Sequence, residues 1–134
     1  MASERELDAL RRMFEGRNLS DVAQVAQEGW HPDIVYREDP KFPGAGVFRG
    51  RDAVVARFAE YREAIDVVHA SVVQLTDASD GILAVVRTRG SGSASGVPID
   101  HDWAYLIRLD DGLVRELNAY FDPDQARAVA GVRS

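Results

Sequence analysis

Two side chains in this sequence have the chemistry needed to move a proton, Asp39 and His101. Asp39 directly precedes Pro40, and a partly desolvated carboxylate at a pocket wall can take a proton from carbon. His101 ends the stretch Pro-Ile-Asp-His, and an imidazole exchanges its proton near neutral pH. Each has a plainer interpretation, because an Asp before proline often begins a turn and a histidine at a pocket rim often only makes a hydrogen bond. We treat both as candidate catalytic residues.

His101 belongs to a stretch, residues 97–120, in which side chains alternate with a period of two. This pattern predicts two strands joined at Asp110-Asp111-Gly112. If the turn is a three-residue loop closed by a glycine bulge, Leu109 pairs with Leu113 and His101 lies opposite Phe121. One sheet face then carries aromatic and apolar side chains, which form either a dry core or the wall of a pocket. We predict a ligand pocket lined by Tyr36, Phe58, Trp103, Tyr105, Leu117, Ala119 and Phe121.

The rest of the chain supplies the elements that must position these residues. Apolar residues at helical spacing predict helices over 3–14, 20–29, 52–65 and 124–130. The first has Ser3 and Glu6 placed for a capping box, Gly16-Arg17-Asn18 breaks it, and Ser20 opens the second. Further strands are predicted over 34–39, 67–75 and 82–89, with loops at 41–50, 77–81 and 90–96.

This order, with helices first and a strand meander last, predicts an α+β fold in a single domain, residues 1–134. Four long consecutive strands twist and curl, so we expect a curled antiparallel sheet with three to four helices packed on its concave face. Such a cone has one open mouth, which is a common ligand site. The outer sheet face is moderately apolar through Ala104, Leu106, Val114 and Tyr120, which favours a partner on that side.

Composition excludes several other function classes. The chain has no cysteine and three histidines without metal-ligand spacing, so we predict no metal site and no cofactor. A net charge of −6 without a basic run argues against nucleic acid. No apolar run has the length of a membrane helix and the amino terminus lacks a signal-peptide pattern, so we expect a cytoplasmic protein.

Three stretches resemble the SnoaL-like and ketosteroid-isomerase-like group, which has the nuclear-transport-factor-2-like fold. They are W-H-P-D-I-V-Y-R-E-D-P (30–40), P-G-A-G-V-F-R-G-R-D-A-V (43–54) and L-D-D-G-L-V-R-E-L-N-A-Y-F-D (109–122). The resemblance covers the chain from about residue 3 to residue 131 and implies the cone-shaped fold. It also implies a homodimer with two-fold symmetry through the outer sheet face.

The resemblance implies roles for the two candidate residues. Asp39 matches the Asp before Pro that shuttles the proton in ketosteroid isomerases. The stretch 98–101 is similar to one whose Asp donates to the developing enolate, which would favour Asp100. The predicted strand pairing instead turns His101 inward and Asp100 outward, although a one-residue slip in register would reverse this. SnoaL-type polyketide cyclases place an Asp and a His in one cavity, which Asp39 and His101 could imitate.

Departures from the family patterns narrow the implied activity. The first-helix tyrosine of ketosteroid isomerases has only Leu10 or Phe14 as counterparts here, and neither donates a hydrogen bond. The carboxylates of limonene-type epoxide hydrolases are also missing, because Arg89 and Ala119 occupy their positions.

We therefore expect a cofactor-free acid–base isomerase, cyclase or dehydratase acting on a small hydrophobic carbonyl compound. Asp39 would be the base, and His101 the acid or hydrogen-bond donor. The alternatives are a non-catalytic domain that binds a small apolar ligand and a packed dimer without a ligand. A cavity with Asp39 and His101 turned away from it would favour the binding domain.

Overall fold

The computed structural model describes residues 2–15, 22–42, 44–79, 81–92 and 94–132, apart from the side chains of residues 62, 67 and 68. The predicted break at 16–18, the helix start at Ser20 and parts of the predicted loops at residues 43, 80 and 93 lie outside this description. The helices are α1 Glu4–Phe14, α2 Val22–Gly29, α3 Arg51–Ala64 and α4 Pro123–Ala130. The strands are β1 Trp30–Arg37, β2 Val47–Arg49, β3 Ile65–Ala78, β4 Gly81–Gly92, β5 Pro98–Asp110 and β6 Leu113–Tyr120.

The strands form one sheet in the order β2-β1-β6-β5-β4-β3. The predicted meander is present, because β3, β4, β5 and β6 pair antiparallel in chain order. The sheet is mixed, however, since β1 pairs parallel with β6 and brings the short strand β2 with it. Strand β2 lies within the predicted loop 41–50, where glycines obscured a three-residue strand.

The turn between β5 and β6 differs from the prediction, yet the sheet faces do not. Asp110 pairs directly with Leu113, and Asp111 and Gly112 both have positive φ, which is the two-residue hairpin turn of type I′. That turn alone would reverse the face of every β6 side chain. A bulge at Arg115 adds one residue and restores the faces, so Tyr105 lies opposite Ala119 rather than Leu117.

Helices α1, α2 and α3 pack on the concave side of the sheet, as predicted. Their apolar side chains join Trp30, Ile34, Tyr36 and Leu117 in the main core. The capping box predicted for α1 is confirmed, because the Ser3 and Glu6 side chains each accept a hydrogen bond from the other's backbone N–H. These three helices and the sheet enclose the space in which a ligand site can form.

Helix α4 lies on the opposite, convex face. Its Ala126 and Ala130 are buried against Leu83, Val85, Ala104 and Leu106. The expectation that Ala104 and Leu106 are open to a partner is therefore wrong, because α4 covers them. Val114 is also not on the outer face, since the Arg115 bulge turns it into the main core. A homodimer remains a prediction, and it would have to use the part of the convex face that α4 leaves free.

Candidate functional site

The concave face of the sheet and the three helices over it enclose a cavity of about 350 Å³. This volume lies near the lower end of the range for small-molecule sites, which suits a ligand of one or two rings. Six of the seven residues predicted to contact a ligand line it: Tyr36, Phe58, Trp103, Tyr105, Leu117 and Ala119. Sequence reasoning missed further lining residues on the helices and the β1–β2 loop, among them Phe14, Phe42, Arg57 and Tyr61.

The cavity wall is largely apolar, and its hydrogen-bonding groups are mainly tyrosine hydroxyls. The Tyr36 and Tyr61 hydroxyl oxygens lie 3.3 Å apart, so one donates to the other. The hydroxyl of Tyr105 has no hydrogen-bond partner among the described residues. Tyr105 lines the cavity and its hydroxyl is not a buried group without a partner, so the hydroxyl is open to the cavity and available to a ligand.

Burial keeps two of these hydroxyls protonated. It raises the pKa of Tyr36 far above its ordinary value, and the nearby Tyr105 and the Glu38 carboxylate add to that rise. Burial also raises the pKa of Tyr105 to about 12. At neutral pH both phenols therefore act as hydrogen-bond donors and not as bases.

A charged pair lies behind the Tyr36 hydroxyl. The Arg57 Nε and Nη2 atoms donate to the two carboxylate oxygens of Glu38 at 2.8 and 2.9 Å. The Glu38 side chain is only 2% exposed and the Arg57 side chain 17% exposed. The rings of Phe48 and Tyr61 flank the guanidinium at 5.1 and 5.0 Å. The hydrogen bonds to Glu38 raise the pKa of Arg57, so the guanidinium stays charged.

Asp39 lies outside this cavity wall. Its carboxylate is buried, with Oδ1 accepting from the Lys41 backbone N–H at 3.1 Å and Oδ2 from the Phe121 N–H at 3.1 Å. The first bond is the turn geometry expected of an Asp before proline, and the second joins the end of β1 to the end of β6. The structure thus gives Asp39 two structural contacts and no contact with the cavity.

His101 also lies outside the cavity wall, and it meets the same residue, Phe121. Its Nε2 atom lies 2.9 Å from the Phe121 carbonyl oxygen, and since a carbonyl only accepts, Nε2 carries the proton. The imidazole stacks on the Phe121 ring at 4.1 Å and meets Trp103 edge-on at 4.9 Å. Phe121 itself is 44% exposed and does not line the cavity.

Asp39 and His101 are therefore brought together around the backbone of one residue, Phe121, and not around a ligand. The first accepts from the Phe121 N–H, and the second donates to its C=O. We call this arrangement the Phe121 clasp. Asp100 lies on the convex side, where it faces Arg89 at 3.7 Å, while Asp102 holds Arg87 through two bonds at 3.0 and 3.2 Å.

Within the described parts of the chain, no cluster of His, Cys, Asp and Glu is arranged to hold a metal ion. The same parts contain no helix that is long and apolar enough to cross a membrane.

Comparison with known proteins identifies relatives for both sequence and fold. The model of the SnoaL-like domain family matches residues 10–117. The uncharacterized protein Rv0034 of Mycobacterium tuberculosis is 31% identical over 126 residues, which cover 92% of this chain and 94% of that protein.

Two solved structures share the fold at low sequence identity. A Bacillus subtilis protein described as a candidate isomerase superposes with a TM-score of 0.76 at 18% identity, covering 99% of this chain and 98% of the other. A Catenulispora acidiphila protein with a ketosteroid isomerase-like fold, solved with trimethylamine, gives 0.69 at 16% identity, covering 98% and 96%. The predicted cone-shaped α+β fold is confirmed.

Proposed function

Because this chain belongs to the SnoaL-like domain family, we propose that it binds a small, uncharged, hydrophobic carbonyl compound in its concave cavity without a cofactor. One observation carries the proposal, namely two protonated tyrosine hydroxyls, of Tyr36 and Tyr105, in a largely apolar wall. A ligand that only filled the apolar space would leave the Tyr105 hydroxyl without an acceptor.

A carbonyl oxygen is the acceptor that suits this wall. It has two lone pairs, so it can accept from both Tyr36 and Tyr105. The Tyr61 hydroxyl can donate to Tyr36, and a ligand carbonyl would then compete with the Glu38 carboxylate for the Tyr36 proton. The body of such a ligand would lie against Trp103 and Phe58, in the room left by the small Ala119 side chain.

An acid–base reaction on the same compound is the second candidate, and the hydroxyl pair favours it. Donors aimed at a carbonyl oxygen stabilise the negative charge that develops there when a neighbouring carbon loses a proton. The reaction also needs a base. Asp39 could serve only after giving up the Phe121 N–H, and His101 only after a change in the Phe121 clasp, so we place binding first and turnover second.

A matched pair of ligands tests binding. 2-Acetylnaphthalene carries a carbonyl, and 2-ethylnaphthalene has nearly the same shape without one. Both tryptophans line the cavity, so quenching of tryptophan fluorescence reports its occupation. We expect the ketone to bind about tenfold more tightly, since it accepts hydrogen bonds that the hydrocarbon cannot. Equal affinities, or no binding of either compound, would contradict the proposal.

Proton exchange separates the binding protein from the enzyme. 2-Acetylnaphthalene is incubated with the protein in D₂O, and the loss of its methyl proton signal is followed by proton NMR. Exchange no faster than in buffer supports the binding role. Accelerated exchange that Asp39→Asn abolishes, while the ketone still binds, would establish the acid–base reaction with Asp39 as its base.

A further inference from the structure

The polar end of the cavity contains a cation whose hydrogen-bond donors are mostly used by the protein. Arg57 donates through Nε and Nη2 to Glu38, through Nη1 to Glu60 at 2.9 Å, and again through Nη2 to the Gly44 carbonyl at 3.3 Å. These bonds occupy each guanidinium nitrogen and four of the five N–H groups, although Arg57 lines the cavity. A ligand entering here meets an arginine with a single Nη1 N–H group outside these bonds.

The positive charge of Arg57 at this end is more than compensated. Glu38 and Glu60 contribute −2 and Arg57 contributes +1, so the three side chains sum to −1. Glu60 is 62% exposed and screened by water, whereas the Glu38 side chain is 2% exposed and acts at nearly full strength. Glu38 is therefore the group that cancels Arg57 for anything inside the cavity.

From this arrangement we infer that Glu38 is a specificity-determining residue, which makes the cavity select neutral carbonyl compounds and reject carboxylates of the same shape. The inference rests on the proposed function. A bound carboxylate would lose its hydration and find no free cation, and it would lie near a second buried negative charge. A ketone carries no charge and meets only the hydroxyl donors.

Removing the Glu38 charge should reverse the rejection. In Glu38→Gln the amide keeps the shape and can still accept from Arg57, but the arginine is then balanced only by the exposed Glu60, so its charge is no longer cancelled inside the cavity. A carboxylate then gains a partner in an environment of low dielectric constant, where a charge-assisted hydrogen bond is strong. The neutral ketone has little to gain from the same change.

The experiment compares 2-acetylnaphthalene with 2-naphthoate, in which a carboxylate oxygen replaces the methyl group. Affinities are measured at about pH 7.5, well above the ordinary pKa of a carboxylic acid. The wild type should prefer the ketone by at least about tenfold. Glu38→Gln should raise naphthoate affinity by roughly tenfold to hundredfold and change ketone affinity by less than about threefold.

Two further variants act as controls. Glu60→Gln removes the exposed partner of the same arginine and should change naphthoate affinity by less than about threefold. The double variant Glu38→Gln/Arg57→Gln removes both charges and should lose the gain in naphthoate affinity, which assigns that gain to Arg57. If Glu38→Gln does not fold, the wild-type preference and the double variant still decide the matter.

The outcomes separate the two proposals. If the wild type binds the ketone but binds naphthoate equally well, or if Glu38→Gln gains nothing, the selectivity role of Glu38 is overturned while ketone binding stands. If the wild type binds naphthoate and not the ketone, the proposed function fails and the inference fails with it.

Discussion

Glu38 and Asp39 are neighbours in the chain, both are carboxylates and both are buried, yet they bind different parts of the molecule. Both follow the end of β1 at Arg37. Glu38 binds Arg57 at the polar end of the cavity. Asp39 accepts backbone N–H groups, one of them in the Phe121 clasp. One step along the chain after β1 therefore separates the carboxylate that can influence a ligand from the one that holds the backbone.

This contrast shows that burial alone does not mark a catalytic carboxylate. Both groups are satisfied by hydrogen bonds, which is the usual condition for a buried charge. Each accepts from backbone N–H groups, Asp39 from Lys41 and Phe121 and Glu38 from Gly46. They differ because Glu38 also binds a side chain in the cavity wall, the Arg57 guanidinium. Variants at the Glu38–Arg57 pair and at Asp39 should therefore show which of the two carboxylates affects ligand binding and which affects only stability.

The largest effect is expected on the cavity side. Arg57→Met leaves the Glu38 carboxylate buried without a cation and with the Gly46 N–H still bound, which should lower the free energy of unfolding by about 2–4 kcal/mol. The value lies below that of a fully buried pair because Arg57 is 17% exposed and partly screened. Urea unfolding measures it. Arg57→Met/Glu38→Gln should recover at least half of the loss, and a single variant as stable as the wild type would show that the pair contributes little.

For the second carboxylate, Asp39→Ala should lower the free energy of unfolding by about 1–3 kcal/mol, because the N–H groups of Lys41 and Phe121 lose their acceptor. Asp39→Asn retains one amide oxygen and should cost less. Ketone affinity should be unchanged in both variants, as long as they are folded. A variant of normal stability that no longer binds the ketone would move Asp39 into the cavity site and undo the contrast with Glu38.

Features set by local patterns could be predicted from the sequence. Alternation along β5 and β6 correctly placed Tyr105 and Ala119 on the cavity side, because the turn and the Arg115 bulge together preserve the face. The local hydrogen bonds of the Ser3–Glu6 capping box were equally predictable, since they depend on residues three apart.

Contacts between distant segments were not predictable in the same way. The Glu38–Arg57 pair joins the segment after β1 to helix α3, 19 residues later, and no local pattern specifies that approach. The placement of α4 on the convex face is a similar case. Its small Ala126 and Ala130 side chains fit against either face of a sheet, and only the path of the chain after β6 decides between them.

A smaller effect on ligand affinity is expected from the Tyr105 hydroxyl, and none from Tyr120 on the outer face. Tyr105→Phe removes a donor from the cavity, so ketone affinity should fall about tenfold while 2-ethylnaphthalene affinity stays the same. Tyr120→Phe, on a residue that packs beside α4, is the matched control and should change neither. Fluorescence titration of the three proteins measures this. An equal loss for both ligands would mean that the ring of Tyr105 matters and its hydroxyl does not.

Alkaline pH should weaken the fold through the same hydroxyl. The pKa of Tyr105 rises from 10.0 to about 12 on folding, so its contribution to stability is complete below pH 10 and is lost as pH rises toward 12. In that window we expect ionisation of Tyr105 to lower the free energy of unfolding by roughly 1 kcal/mol for each pH unit. Urea unfolding at several pH values measures the slope, and Tyr105→Phe should flatten it. An unchanged slope would assign the loss to other groups.

The smallest effect is expected at His101, and it decides whether the Phe121 clasp is structural. This side chain is held mainly by one hydrogen bond and one ring stack. His101→Leu should therefore lower the free energy of unfolding by about 0.5–1.5 kcal/mol. His101→Gln, which can still donate to the Phe121 carbonyl, should recover part of that loss. Because the imidazole contacts Trp103 but does not line the cavity, ketone affinity should change by less than about threefold in either variant. A large fall in affinity with normal stability would bring His101 back to the ligand and, with it, the acid–base reaction.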